Sequence, residues 1–213
     1  MTSPARKRAA SLRGIYAIIN EGRRDSLTLT RAVLSGGVRI VQYRAKSGFV
    51  RRHALAMLEL CREVGALFIV NDDVEAALQL DADGVHAGPE DAAWKELSSV
   101  RRALGEKLLG LSCGTAAEAG YAEDCGADYV GVGPCFPTAS KPDAGPPIGL
   151  HGLRTVLSTT TLPVAAIGGI AAGNLAQVAD CGAAMAAVIS ALCVEDPQAA
   201  ARELVRLWHA RTE

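Results

Sequence analysis

The chain has 213 residues, of which 49% are hydrophobic and only 4% aromatic, and its formal net charge is −1. That length suits one well-buried domain, and a charge so close to neutral gives no general attraction to nucleic acid or to an acidic membrane surface. We therefore expect a small-molecule partner, and a composition rich in Ala, Val, Ile, Leu and Gly favours parallel strands covered by helices over an all-β sandwich.

The first segment, residues 1–13, is basic and contains serines but has no apolar stretch of secretory length. We expect a flexible lead-in there, followed by a single domain that covers residues 14–213. The six cysteines form no C-x-x-C pair, which gives no signal of zinc or thioredoxin-like chemistry and is typical of reduced thiols in a cytoplasmic protein. No apolar run is long enough to cross a bilayer.

Short aliphatic stretches then alternate with longer stretches rich in Ala, Leu and charged residues, the pattern of repeated strand–helix units. Eight strands are predicted, and eight is the number that closes a (β/α)8 TIM barrel. They lie near residues 14–19, 38–43, 67–71, 83–86, 108–112, 128–132, 163–167 and 184–189. A doubly wound open sheet is the alternative, but no G-x-G-x-x-G follows the first strand and the eighth strand would be surplus.

Four of these strands follow a glycine that can end the preceding helix in a left-handed conformation. These glycines are Gly36, Gly65, Gly126 and Gly182. Their recurrence supports a repeated structural unit.

Polar residues gather where the predicted strands end, which in a barrel is the face that carries the active site. Gln42, Arg44 and Lys46 continue the inward face of strand two, so two cations are expected at the barrel mouth. Strand three ends in Asn71, Asp72 and Asp73, and strand four leads through His86 towards Asp91.

Asp72 and Asp91 could share Mg²⁺, which needs one or two carboxylates besides substrate oxygens and water. A diphosphate would suit such a mouth, because Mg²⁺ and the nearby cations can neutralise its charge. The alternative is that each aspartate only caps a helix. We assign His86 no catalytic role, since a strand histidine of this kind is more often a hydrogen-bonded packing residue; the other histidines, His53 among them, are expected to be solvated.

The loop after strand six, GVGPCFPTASK, ends in Thr138, Ser140 and Lys141, whose hydroxyl and ammonium groups suit recognition of an oxyanion. An ordinary surface turn is the alternative there. Strand seven ends in Gly168 and Gly169, and strand eight ends in Ile189 and Ser190. Barrels commonly bind phosphate after these two strands, although a glycine pair can also serve packing alone.

Taken together, these segments resemble the thiamine-phosphate synthase family from about Gly14 to the last helix. The matching pieces, in order, are VQYRAK, NDD, DGVHAGPED, GLSCGT, GADYVGVGPCFPTASK, PPIGLHGL, PVAAIGGI, GN and VISAL. The resemblance implies a transferase that joins 4-amino-2-methyl-5-hydroxymethylpyrimidine diphosphate to a thiazole phosphate, carboxylated or plain, and releases thiamine phosphate and pyrophosphate. The pyrimidine C–O bond would break first, and the thiazole nitrogen would attack the resulting cation.

The resemblance also implies roles for individual residues. Those expected to hold the pyrimidine diphosphate are Gln42, Tyr43, Arg44, Ala45, Lys46, Asn71, Ser112 and Lys141, with Arg44, Lys46, Ser112 and Lys141 catalytic. Those expected to hold the thiazole phosphate are Thr138, Ala139, Ser140, Gly169, Ile189 and Ser190, and Mg²⁺ would bind Asp72 and Asp91. Self-association into a homo-oligomer is left open.

Some positions depart from the family pattern. Ala45 replaces an acidic residue, Pro89 a glutamine and Ser140 a threonine, while Gly114 stands where a related thiazole tautomerase has its proposed acid–base histidine. The last departure, with retention of both aspartates, argues against an isomerase such as that tautomerase or a sugar-phosphate epimerase. A non-catalytic barrel that binds a phosphate ligand is the other alternative.

Overall fold

The computed structural model describes residues 11–22, 24–46, 48–89, 96–140 and 145–212, and within them eight strands close into a parallel barrel. The strands are β1 (Gly14–Asn20), β2 (Ile40–Arg44), β3 (Leu67–Asn71), β4 (Gly84–Ala87), β5 (Leu108–Cys113), β6 (Tyr129–Val132), β7 (Val164–Ile167) and β8 (Met185–Val188). The helices are α1 (Ser26–Ser35), α2 (Arg51–Glu63), α3 (Val74–Gln79), α4 (Leu97–Leu104), α5 (Ala116–Asp124), α6 (Gly149–Leu157), α7 (Leu175–Ala179) and α8 (Pro197–Thr212).

Neighbouring strands pair in chain order, and β1 closes the barrel by pairing with β8. Tyr16 of β1 lies opposite Ile40 of β2 and opposite Ala187 of β8. The predicted (β/α)8 barrel is therefore confirmed, and the open doubly wound sheet is excluded because a sheet of that kind has two unpaired edges.

Period-two alternation along the strands separates two hydrophobic cores. Inside the barrel, Ile40, Ile69, Leu108 and Met185 pack with one another; the other core lies between the outer face of the strands and the helices. Each such side chain that is fully buried contributes roughly 1.5–3 kcal/mol relative to an exposed position. Because the strands have a hydrophobic core on each face, their sequences are almost continuously apolar.

The predicted helix-ending glycines are confirmed at three of four places. Gly65, Gly126 and Gly182 have φ values of 66°, 79° and 93°. Gly36 instead has φ −76°, and the left-handed residue is its neighbour Gly37 with φ 101°. Glycine is needed at position 36 for a different reason. A Cβ there would lie 2.5 Å from the Cβ of Ala201, where α1 packs against α8.

At the lower rim, which we define as the amino ends of the strands, aspartates bind the backbone of the preceding strand. Asp83 Oδ2 accepts from the Phe68 N–H at 2.9 Å, and Asp128 Oδ2 accepts from the Leu109 N–H at 2.8 Å. Arg101 donates to the same Asp128 oxygen at 2.8 Å. These contacts satisfy backbone N–H groups near the starts of the strands, and so they stabilise this rim of the barrel.

Leu12 is 3% exposed and packs inside the barrel against the interior core. Residues 1–10, which make up most of the expected lead-in, lie outside the described residues, so its flexibility stays a prediction. None of the helices in the described part of the chain combines the length and apolar character that a membrane crossing requires.

Candidate active site

Two adjoining cavities open at the upper rim, which we define as the carboxyl ends of the strands. The larger has a volume of about 720 Å³ and the smaller about 110 Å³. Both are lined by Ser112, Gly131, Ile167, Ala187 and Ile189. The two cavities therefore adjoin along these residues, so ligands bound in them would lie side by side.

The smaller cavity carries the charged groups. Gln42, Arg44 and Lys46 all line it, as expected from their spacing along and beyond β2. Arg44 Nη1 donates to Asn20 Oδ1 at 3.1 Å, and because that partner is a neutral amide, the contact orients the guanidinium without cancelling its charge. Asn71 lines the same cavity. The arrangement suits a polyanionic ligand, to which a planar guanidinium donates in pairs.

Two adjacent aspartates after β3 have different roles. The Asp73 side chain accepts from the Ala76 N–H at 2.8 Å and so caps α3. Asp72 lines the smaller cavity, and its Oδ2 lies 2.5 Å from Lys46 Nζ. The backbone of Asp72 has φ 64°, a left-handed conformation that aspartate tolerates better than most residues and that often marks functional sites. The capping alternative is therefore wrong for Asp72, because Asp73 caps this helix and Asp72 lines the cavity; for Asp91 it stays a prediction.

The larger cavity is lined by glycines, hydroxyl groups and apolar side chains, and by Glu118, whose carboxylate accepts from backbone N–H groups. Thr138, Ser140, Gly168, Gly169 and Ser190 all line it. Thr138 Oγ1 accepts from the Ser140 N–H at 3.2 Å, which folds the end of the loop after β6 into a turn. Exposed backbone N–H groups and hydroxyls of this kind can donate to phosphate oxygens without any charged side chain.

The loop after β6 lies close to the end of β7, and this packing accounts for the glycine pair. The Cys135 N–H donates to Ile167 O at 2.8 Å and the Phe136 N–H to Gly168 O at 3.0 Å. A Cβ on Gly169 would lie 2.5 Å from Pro137 O, and the residue has φ 63°. The pair is thus needed for packing as well as for an open backbone at the cavity.

Asn174, the second residue of the GN motif, holds the next loop in place. Its Oδ1 accepts from the Ala171 N–H at 2.8 Å, and its Nδ2 donates to Gly169 O at 2.9 Å. The sequence identified this motif without a role, and the structure shows that its side chain fixes the loop beside the larger cavity.

Three of the residues expected at the site do not line either cavity. The Tyr43 side chain points outward from β2 and donates to Glu21 Oε2 at 2.7 Å. Ala45 packs against the outer core, and Ala139 is exposed beyond the cavity lining. Period-two alternation explains Tyr43, because its neighbours Gln42 and Arg44 point inward. Contact between these three residues and a ligand stays a prediction, and for Tyr43 it would have to involve the backbone.

Two other expected site residues, Asp91 and Lys141, lie outside the described residues. Their assignment to Mg²⁺ and to the diphosphate therefore stays a prediction. Of the expected Mg²⁺ ligands, the described chain contributes Asp72, an oxygen donor of the hard type that this ion prefers.

The only cysteine that lines the larger cavity within the described chain is Cys113. Burial, together with the charge of Glu118, raises the pKa of the Cys113 thiol to about 12. The thiol therefore stays protonated near neutral pH, and a protonated thiol is a poor nucleophile.

Two further side chains line the smaller cavity: Tyr16, which the sequence patterns did not identify, and His86, which was expected as a hydrogen-bonded packing residue. The inward position of Tyr16 on β1 could have identified it, because it shares the face of Ile18. His53 is half-buried rather than solvated, and its Nδ1 lies 3.0 Å from Glu21 Oε1.

Comparison with known proteins gives a consistent result. A family model described as thiamine monophosphate synthase matches residues 15–192. A thiamine-phosphate synthase from Halorhodospira halophila is 46% identical over 211 residues, which cover 95% of this chain and 97% of that protein. One from Chloroflexus aurantiacus is 43% identical over 197 residues, covering 89% and 90%. The solved thiamine phosphate pyrophosphorylase from Pyrococcus furiosus superposes with a TM-score of 0.87 at 35% identity, covering 95% and 98%.

Proposed function

This chain belongs to the thiamine monophosphate synthase family, and we propose that its two adjoining cavities bring together the two substrates of thiamine phosphate formation. The chain is a transferase of thiamine biosynthesis. The observation that carries the proposal is the division of chemistry between the cavities. The smaller is lined by the cations Arg44 and Lys46, the larger has glycines and hydroxyls and no cation among its described lining residues, and the two have lining residues in common.

The pyrimidine diphosphate binds in the smaller cavity. Arg44 and Lys46 supply positive charge for the diphosphate, while Gln42 and Asn71 offer amide groups to the rest of the molecule. Ser112 lines both cavities, so its hydroxyl can reach a group where they meet. Lys141 completes the set of cations in this proposal.

Mg²⁺ binds to Asp72 and Asp91 in this proposal. The donor type fits, because the half-buried Asp72 carboxylate is a hard oxygen ligand that lines a cavity suited to phosphate oxygens. When bound, the ion withdraws charge from the diphosphate and makes it a better leaving group. Lys46 now occupies a position next to Asp72, and a shift of its ammonium towards the diphosphate would release the carboxylate for the metal.

The thiazole phosphate binds in the larger cavity. Its phosphate accepts hydrogen bonds from backbone N–H groups near Gly169, Ile189 and Ser190 and from the hydroxyls of Thr138 and Ser140. Unlike the smaller cavity, this one has no cationic side chain among its described lining residues, and its carboxylate, Glu118, accepts from the Gly114 and Thr115 N–H groups. The difference keeps the diphosphate, which carries more charge, beside Arg44 and Lys46.

The reaction needs no side-chain nucleophile. The C–O bond of the pyrimidine substrate breaks, and its electron pair leaves with pyrophosphate. The thiazole nitrogen then gives its lone pair to the exposed carbon, so no proton is transferred in the joining step. The protonated state of Cys113 agrees with this chemistry. The chain's residues act by stabilising the leaving charge and by holding the two substrates in contact.

The isomerase alternative finds less support. Gly114 lines the larger cavity where an acid–base group would be needed, and among the described residues that line this cavity none is a histidine. The charged smaller cavity would also be unused by an enzyme with one monophosphate substrate.

The protein works in the cytoplasm in this proposal, which is supported by its six free cysteines. Self-association into a homo-oligomer stays open.

The test is incubation of the purified protein with both phosphorylated heterocycles and Mg²⁺. We expect thiamine phosphate and pyrophosphate to appear in equal amounts, and neither to appear when one substrate is omitted or when a chelator removes Mg²⁺. Turnover of the thiazole phosphate alone would favour the isomerase, and binding of both substrates without product would favour the non-catalytic barrel.

A further inference from the structure

A line of hydrogen-bonded side chains crosses the barrel interior and ends at the substrate cavities. Gln42 Nε2 lies 2.7 Å from the Tyr16 hydroxyl, which lies 2.8 Å from the Tyr129 hydroxyl. The Tyr129 hydroxyl lies 3.1 Å from His86 Nδ1, and His86 Nε2 lies 3.0 Å from Ser112 Oγ. The five residues come from five different strands, so only the closed barrel brings them together.

Two glycines make room for this line. A Cβ on Gly110 of β5 would overlap the Tyr129 ring, and a Cβ on Gly131 of β6 would lie 3.1 Å from His86 Cε1. The rings of His86 and Tyr129 are 5.4 Å apart and tilted by 35°. The neighbouring strands are therefore shaped around both rings, which fixes where their polar atoms point.

The hydrogens that each group carries decide which atom donates in every hydrogen bond of the line. The Gln42 amide nitrogen can only donate, so the Tyr16 oxygen accepts from it and the single Tyr16 hydrogen is directed to Tyr129. Burial raises the pKa of Tyr16 and of Tyr129, so both phenols keep their hydrogen. Tyr129 is fully buried and accepts from Tyr16, so it donates its own hydrogen to His86 Nδ1. With the Gln42 amide nitrogen donating to Tyr16, any other orientation would leave a buried hydroxyl hydrogen without an acceptor in this line, at a cost of about 1–3 kcal/mol.

The direction fixes the tautomer of His86. Its Nδ1 accepts from Tyr129 and therefore carries no hydrogen, so the ring hydrogen lies on Nε2 and is donated to Ser112 Oγ. The hydroxyl hydrogen of Ser112 is not used in that bond and can point into the cavities that Ser112 lines.

We propose that Tyr129 and His86 are positioning residues that turn Ser112 into a hydrogen-bond donor to the departing diphosphate. The proposal rests on the function proposed above, because it needs the diphosphate beside Ser112. A donor fixed in advance stabilises charge as it develops, without the cost of reorienting in the transition state. Reversing the line would turn Ser112 into a donor to His86 and point its lone pairs at an anionic ligand, which would repel that ligand.

The first test measures the His86 tautomer by ¹⁵N NMR on ligand-free protein in alkaline buffer, where imidazole is neutral. The expected spectrum shows a protonated Nε2 and an unprotonated Nδ1 for His86. A proton on Nδ1 would overturn the proposal. In Tyr129→Phe the Nδ1 partner is lost, and we expect the spectrum to show a mixture of tautomers.

The second test is steady-state kinetics of four variants. In Tyr129→Phe we expect kcat to fall by about 10- to 100-fold, with KM for the pyrimidine diphosphate changed by less than about threefold, because the lost interaction forms mainly in the transition state. His86→Gln keeps a donor near the Nε2 position and should retain more of kcat than His86→Leu. Tyr121→Phe is the matched control, since Tyr121 is half exposed on α5, and its kinetics should be those of the wild type.

The outcomes separate this proposal from the proposed function. If the wild-type protein makes no thiamine phosphate, the function fails while the NMR measurement still decides the tautomer. If the wild type is active but Tyr129→Phe keeps full kcat, or if His86→Gln and His86→Leu lose kcat equally, the positioning role is wrong and the function stands. Circular dichroism of Tyr129→Phe checks its fold, and the His86 pair gives the kinetic answer if that variant does not fold.

Discussion

Carboxylates and cations lie at both ends of this barrel, but those at the lower rim bind the protein, whereas several at the upper rim line a cavity. The Asp128 carboxylate accepts from the Leu109 N–H and from Arg101, so it binds groups of the protein itself. Asp72 and Arg44 lie among the lining of the smaller cavity. The same residue types therefore stabilise one end and are available for ligands at the other, in agreement with the usual division of labour in this fold.

The difference between the two rims can be tested most strongly at the two aspartates after β3. Asp72→Asn removes the charge that faces the cavity, and we expect kcat/KM to fall by about 10²–10³ with the thermal midpoint unchanged. Asp73→Asn is the matched control, because asparagine caps a helix as well as aspartate does. Equal activity of the two variants would show that the Asp72 carboxylate has no part in turnover.

The lower rim should give the opposite result. Asp128→Ala leaves the Leu109 N–H and the Arg101 guanidinium without this partner, and we expect a loss of about 2 kcal/mol in the free energy of unfolding. Activity per folded molecule should stay at the wild-type value. Denaturant unfolding and an assay at low temperature measure the two quantities, and a fall in kcat without a loss of stability would contradict the division between the rims.

The glycine-lined cavity can be tested separately from the charged one. Gly169→Ala places a Cβ near Pro137 O on a left-handed backbone, which costs roughly 1–2 kcal/mol. We expect KM for the thiazole phosphate to rise by about tenfold while KM for the pyrimidine diphosphate is unchanged. Gly173→Ala, where the added Cβ meets open space, should change neither KM value. A rise only in KM for the pyrimidine diphosphate would show that the two cavities have been assigned to the wrong substrates.

Glu21 is an upper-rim carboxylate that binds other side chains of the protein, and so it resembles the carboxylates of the lower rim. Burial alone would raise the pKa of Glu21, but hydrogen bonds from Tyr43 and His53 lower it below its usual value. The fold thus favours the carboxylate form, so this stabilisation is present at neutral pH and is lost as pH falls through the lowered pKa. The gap in thermal midpoint between the wild type and Glu21→Gln should shrink on acidification, and a gap that widens would contradict this assignment.

Much of the fold and part of the site follow from local sequence pattern. Period-two alternation placed Gln42 and Arg44 inside the barrel, and strand spacing predicted eight strands. The same alternation places Tyr43 outside, although the family resemblance had included it in the site. A resemblance names positions without saying whether the side chain or the backbone is used.

Other features depend on contacts that no local pattern contains. Asp72 and Asp73 are identical in type, and only the start of α3 decides which one caps it. His86 and Tyr129 are 43 positions apart, so their hydrogen bond exists only once the barrel closes. Gly36 is small because α8, far along the chain, packs against it. Tertiary packing, which sequence patterns do not report, decides all three.

The most direct measurement is a crystal structure of the protein with thiamine phosphate, pyrophosphate and Mg²⁺. The account predicts pyrophosphate and the metal beside Arg44, Lys46 and Asp72, with the phosphate of thiamine phosphate at Gly169 and Ser190. Pyrophosphate in the glycine-lined cavity, or a metal bound away from Asp72, would contradict it.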